Sequence, residues 1–439
     1  MKLKSPNRRR DIPARVALPL VALAFLWLFS LGAIEHAAVW LWHLPQLLHH
    51  AGAHGPRPYP DDYIMFWAAG HISAGGAPGH VYVRHLFNAW EGGNAPGHVF
   101  GDPFIYPPIT LLLTEPLAFL GYWPGFVLWI SAIVASSMFI LRRAGLPWPV
   151  IVAGLLSPAV LLGIIIGQIS LLAGAFSLAA LLCFETVPRR AGILAGLATI
   201  KPQDGLIIPF AMLGRGRYRP IAAGILTILM MGILVTLLFG PDIWLAYWRH
   251  GVRTAEALMR ARAHSLATTG YQSGYMNFFV SVFWMLRQEH FPMTVSLVAQ
   301  ALAACCAIAI AVHTWRGPVV NPLARVALTV FLGSFLTPYA FTDDLAGYSF
   351  MLAALAWQRR RVEIADVFLF TWPGYSPFIT ETLHVSPSPL LIAYAAWRAW
   401  ISMHKLPRRD LVPGNVHMPS VGGQNHVNLF VHNALVRQA

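Results

Sequence analysis

Asp61-Asp62 is followed at once by the apolar, aromatic run Tyr63-Ile64-Met65-Phe66-Trp67-Ala68-Ala69, and further on by Tyr106-Pro107-Pro108. Desolvating a carboxylate is costly, so acids at the edge of such a segment mark chemistry. Lys201 sits between Thr199-Ile200 and Pro202, flanked by two short apolar stretches. An ammonium there needs an anionic partner or a route to water, and phosphate and carboxylate both qualify. Gly167-Gln168, Gln203, Tyr271-Gln272-Ser273 and Asp343-Asp344, with Tyr339 and Tyr348 nearby, add hydrogen-bonding groups. A base, a cation and donors suit sugar transfer from a polyprenyl-phosphate carrier. Asp62 would take the proton of an acceptor hydroxyl, while Lys201 and an outer-loop arginine would meet the departing phosphate. Hydrolysis by paired carboxylates fits less well, because the adjacent Asp61 and Asp62 do not face one another across a sugar.

Each group also has a plain structural reading. Asp62 is equally a solvated or capping residue, Pro107-Pro108 a helix start, Gly167-Gln168 a turn and Asp343-Asp344 a solvated loop.

The elements that must position these groups are set by composition. Of 439 residues, 56% are hydrophobic and only 11% charged, against about 25% charged in soluble domains. Apolar stretches approach or exceed the roughly 18–20 residues that cross a bilayer. The fold class expected is therefore all-α and polytopic. The formal charge of +13 comes in short clusters between apolar runs, among them Arg142-Arg143, Arg189-Arg190, Arg215 to Arg219, Arg359-Arg360-Arg361 and Lys405 to Arg409. That is the pattern of cytoplasmic loops and argues against a nucleic-acid partner. Cys183, Cys305 and Cys306 lie in apolar spans and read as small hydrophobes. His36, His43, His49, His50 and His54 lack ligand-like spacing, so no metal is expected. Dinucleotide, Walker and His-Glu-x-x-His motifs are absent from the sequence.

Placing the basic clusters in the cytoplasm threads the chain. Residues 1–15 form a basic cytoplasmic tail, and the first helix covers about 16–34. Outer loops fall at about 35–122 and 240–292, the first holding a membrane-skimming helix over Tyr106 to Leu120. Further spans are expected at about 123–141, 148–166, 169–185, 191–200, 203–214, 218–239, 293–314, 323–340, 345–357, 363–379 and 386–403. The pair around Lys201-Pro202-Gln203 is short enough to be broken or re-entrant. The total is about twelve, both termini are cytoplasmic, and 405–439 is a poorly ordered tail. This threading brings every polar group above to the outer side.

In order along the chain, Asp62 through Ala69, Tyr106-Pro107-Pro108 with Pro116-Leu117, Gly167-Gln168-Ile169-Ser170, Gly196-Leu197-Ala198 with Lys201-Pro202-Gln203, and Thr337-Pro338-Tyr339 with Asp343-Asp344-Leu345 resemble the motifs of glycosyltransferase family 87. The resemblance runs from about 16 to 405. Thr337 stands where the family has Ser, and Asp343 where it has Tyr. It implies a GT-C fold over 16–404 and an inverting transfer of one hexose, mannose first, from a polyprenyl-phosphate donor. The acceptor would be a glycolipid or cell-envelope glycan at the periplasmic face of a bacterial-type inner membrane, with no cofactor or metal required. Asp62 is then the catalytic base. Asp61, Tyr106, Gln168, Lys201, Gln203, Gln272, Asp344 and Tyr348 are the substrate-binding candidates. A transporter or flippase of a lipid-linked sugar, and a non-catalytic protein of the same fold, are the rival readings; discontinuous helices around Lys201 suit the transporter.

Overall fold

The computed structural model describes residues 62–95, 103–260 and 275–405. The expected first helix, Asp61, Gln272, the clustered histidines and the C-terminal tail lie outside them. Among the described residues the chain is all-α, apart from an isolated antiparallel bridge between Phe279 and Phe341.

Among the described residues three helices are long and apolar enough to cross a membrane: Tyr122–Arg143, Tyr218–Phe239 and Met293–Arg316. Tyr218–Phe239 leaves Leu229, Met230, Ile233 and Leu237 exposed, the last at 78%. So large an apolar surface is stable against lipid and not against water. Trp148–Leu155 and Pro158–Ile166 make a fourth crossing if taken as one span bent by 58°. The bend falls where Ser157 caps the second helix and Pro158 supplies no N–H. The protein is thus an integral membrane protein.

The other expected spans are shorter or interrupted. Ser170–Cys183, Pro188–Leu197, Ile208–Gly214 and Pro322–Gly333 fall below a full crossing. Ile364–Leu383 is long enough but carries Pro373 and Pro377 inside it, with Asp366 and Glu381. Length and apolarity among the described residues therefore give three or four crossings, where the apolar runs had suggested about twelve. Prolines and buried polar groups cut the runs into pieces.

The pieces pack around helix Ser170–Cys183, which meets Tyr122–Arg143, Pro188–Leu197 and Ala346–Arg359, while Tyr63–Ala74, apolar almost all round, is buried against the segment Pro108–Phe119. The segment expected as a skimming helix is helical over Pro108–Phe119, though in three parts that change pitch around Glu115-Pro116. Pro188–Leu197 crosses Tyr218–Phe239 at backbone contact: a Cβ on Gly192 would lie 2.0 Å from the Pro220 carbonyl oxygen, and one on Gly196 2.8 Å from that of Gly224. Small residues permit such crossings in membranes. This one fixes the end of the helix that leads, through a 3-10 turn at Ala198–Ile200, into Lys201.

Candidate active site

Gly167 ends helix Pro158–Ile166 in the left-handed region, at φ 84°. A side chain is excluded there, since a Cβ would lie 2.4 Å from the Cβ of Tyr63. The Gly167 carbonyl accepts from Trp129 Nε1 at 2.9 Å. This locked turn delivers Gln168 beside the start of helix Tyr63–Ala74, where Asp62 occupies the position just before the first turn.

Gln168 Nε2 donates to Asp62 Oδ2 at 2.7 Å. At its other end, Gln168 Oε1 accepts from Tyr106 Oη at 2.8 Å and from the Ile169 amide at 3.2 Å. The two donors fix which way the amide points, so its N–H faces the carboxylate. Tyr106 is held in turn by Tyr82 Oη, which donates to its carbonyl at 3.0 Å, and by the Phe66 ring at 5.0 Å. Burial pushes the Tyr106 phenol well above its ordinary pKa, so it remains a donor.

Ser170, two residues on, opens a second network. Lys201 Nζ contacts Ser170 Oγ, Asp343 Oδ2 (3.1 Å) and Asp344 Oδ1. Ser170 Oγ also contacts Asp343 Oδ2, and Asp344 Oδ1 at 3.2 Å. Lys201 is 2% exposed. The ammonium hydrogen-bonds Ser170 and Asp343 and pairs with Asp344, so carboxylates supply its anionic partners here. Asp344 is anchored from the other side by the Phe341 amide at 2.9 Å. Burial pushes its carboxyl up to about 6, against the pull of the Lys201 ammonium and with the help of Asp343. The Ile200 carbonyl, next to Lys201, accepts from Thr110 Oγ1 at 2.9 Å, tying this network to the segment that carries Tyr106.

Asp62, Tyr106 and Gln168 therefore form one network, and Lys201 and Asp344 a second, two residues apart on the chain. Gln203 and Tyr348 stand apart from both in direct bonding. They line a cavity of about 40 Å³ that Asp344 also borders, and Tyr348 Oη donates to the Leu369 carbonyl at 3.4 Å. Reading the sequence left Ser170 and Asp343 off the candidate list, although both carry the second network. It also missed Asp204 and Ser177 on the cavity wall. The signal for Asp204 was present, as a fourth polar residue directly after Lys201-Pro202-Gln203 in an apolar stretch. Arg249 and Arg253 are exposed, on or beside helix Val252–Arg260, whose Ala255 carbonyl accepts from Tyr339 Oη at 2.7 Å.

The family model for glycosyltransferase family 87 matches residues 104–338, more than half of the chain, a stretch that includes Tyr106, Gln168, Lys201 and Gln203. No curated protein and no solved structure matches this chain. The matched stretch holds the locked glutamine, the buried lysine and the helices that set them, and the chain belongs to glycosyltransferase family 87.

Proposed function

We propose that the protein transfers a single hexose, mannose first, from a polyprenyl-phosphate donor to a glycolipid or cell-envelope glycan at the periplasmic face, with inversion. The observation that carries this reading is the Asp62 carboxylate, held at 2.7 Å by an amide whose orientation is itself fixed. Asp62 accepts the proton of the acceptor hydroxyl as its oxygen forms a bond to the anomeric carbon. The bond from that carbon to the phosphate oxygen breaks on the opposite face, and the electron pair leaves on the polyprenyl phosphate. No metal is needed for that balance.

Lys201, paired with Asp343 and Asp344 and bonded to Ser170, holds these groups in place, and binding phosphate would require it to loosen a carboxylate. The charge of the leaving group falls instead to outer-loop arginines such as Arg249 and Arg253, both exposed. The same reading keeps a domain over 16–404, about twelve passes made up partly of stacked short helices, and both termini in the cytoplasm. Asp61 and Gln272 stay candidates for contacts to the substrate.

The test is transfer by purified protein in nanodiscs, given radiolabelled polyprenyl-phosphate mannose and native membrane lipid extract. Label should move to a new lipid or glycan product with wild type and not with Asp62→Asn. A folded wild type that moves no label removes mannose as donor; failure with a panel of polyprenyl-phosphate sugars removes the transfer reading itself.

A further inference from the structure

Beneath the Lys201 network lies a cavity of about 40 Å³, walled by helix Ser170–Cys183 on one side and by the end of helix Pro322–Gly333 on another. Its polar wall carries hydroxyls, carboxyls and one amide, among them Ser177, Gln203, Asp204, Ser334, Thr337 and Asp344. Two of these oxygens have no partner among the described residues. Ser177 is 6% exposed and its Oγ makes no hydrogen bond. Asp204 Oδ2 is sealed from solvent and likewise has no partner. Both residues line the same cavity, and the turn after Asp204 brings the Cβ position of Gly205 to 3.5 Å from Ser177 Oγ.

Charge decides what such a cavity takes. Three carboxyl groups, Asp204, Asp343 and Asp344, share the single ammonium of Lys201, and burial together with the two neighbouring acids pushes the Asp204 carboxyl well above its usual range. Ionising the third carboxyl leaves an uncompensated charge, which is expensive away from water unless a proton or a cation stands beside it. Phosphate is repelled from such a place. Size decides the rest. A water requires about 10–15 Å³ of such space, so the cavity has room for about three waters. A hexose is far too large. Among the described residues no three His, Cys, Asp or Glu side chains converge as a chelated divalent metal needs. A small alkali cation asks less: one or two carboxylate oxygens, neutral hydroxyl and amide oxygens, and a water or two.

We propose that this cavity is a sodium-ion site, with Asp204 and Ser177 as ligands and Asp344 as the wall shared with the Lys201 network. The bound ion balances the surplus carboxylate and holds the turn after Lys201 against helix Ser170–Cys183. The site stands independently of the sugar-transfer reading, since neither its ligands nor its test involves a donor sugar.

The experiment is equilibrium binding of radioactive sodium to the full chain in nanodiscs, at fixed ionic strength with choline as replacement ion. Melting temperature in sodium and in choline is measured alongside. Saturable binding and a higher melting temperature in sodium are expected for wild type. Asp204→Asn should lose the saturable component and melt alike in the two salts, while Ser177→Ala should weaken binding several-fold and show a smaller sodium-dependent rise in melting temperature than wild type. Absence of saturable sodium binding to folded wild type overturns the site, including the case where stability follows pH and not sodium, which would make the occupant a proton. Binding unchanged in Ser177→Ala and in Asp204→Asn overturns it too. If Asp204→Asn does not fold, Ser177→Ala alone decides.

Discussion

Gln168 Nε2 and Asp62 Oδ2 meet at 2.7 Å across 106 residues of chain, and the amide is turned toward the carboxylate by Tyr106 and the Ile169 N–H. Asp62→Asn keeps the shape and removes the base. Loss of general-base catalysis is worth about 10²–10⁴-fold, so transfer should fall by that much with little change in apparent donor affinity. Radiolabel transfer at several donor concentrations reads both.

Tyr106→Phe removes one of two groups that orient the amide. The Ile169 N–H remains, so about 0.5–1.5 kcal/mol is lost. Turnover should fall a few-fold to about tenfold while KM stays close to wild type. A larger fall in binding than in turnover would give Tyr106 a substrate contact in place of a positioning role.

Gln168→Glu puts a second carboxylate against Asp62. A like charge raises the pKa of a neighbouring acid, and Asp62 works only when deprotonated. The acidic limb of kcat/KM against pH should therefore move toward higher pH. An unmoved limb would mean that Asp62 is not the group titrating in catalysis.

Lys201→Met leaves Asp343 and Asp344 facing each other in a buried site. Removing one partner of a buried ion pair costs about 3–5 kcal/mol, so the melting temperature should drop sharply and activity with it. Lys201→Met with Asp343→Asn and Asp344→Asn removes the unpaired charges and should regain most of the stability without regaining activity. A single variant as stable as wild type would show that the ammonium is not what holds the cluster.

Gly167→Ala tests the turn that aims Gln168. Its positive φ and the 2.4 Å approach to the Tyr63 Cβ leave no room for a methyl group. Strain of about 1–3 kcal/mol is expected from the backbone alone, with activity falling further than stability because Gln168 is displaced.

The residues around the site were legible because they break an apolar background. A carboxylate, an ammonium or an amide in a stretch of Leu, Ile and Ala stands out, and Asp62, Tyr106, Gln168, Lys201 and Asp344 were found that way. The long spans Tyr218–Phe239 and Met293–Arg316 were legible for the same reason, since only lipid tolerates such runs. The shorter helices were not. Whether a Pro or Gly ends a helix, bends it or sits at a crossing depends on what packs there, as at Ser157-Pro158 and at Gly192 against Pro220.

Partner choice was decided only in three dimensions. The sequence by itself determined that Lys201 needs an anion, because a buried ammonium costs too much alone. It did not determine which anion. Folding brought Asp343 and Asp344 to within reach from more than a hundred residues away, and these carboxylates are the anions the ammonium meets. Pairing at that distance along the chain is set by how helix Ser170–Cys183 packs between the turn of Lys201 and the turn of Asp343-Asp344. No local pattern encodes that packing.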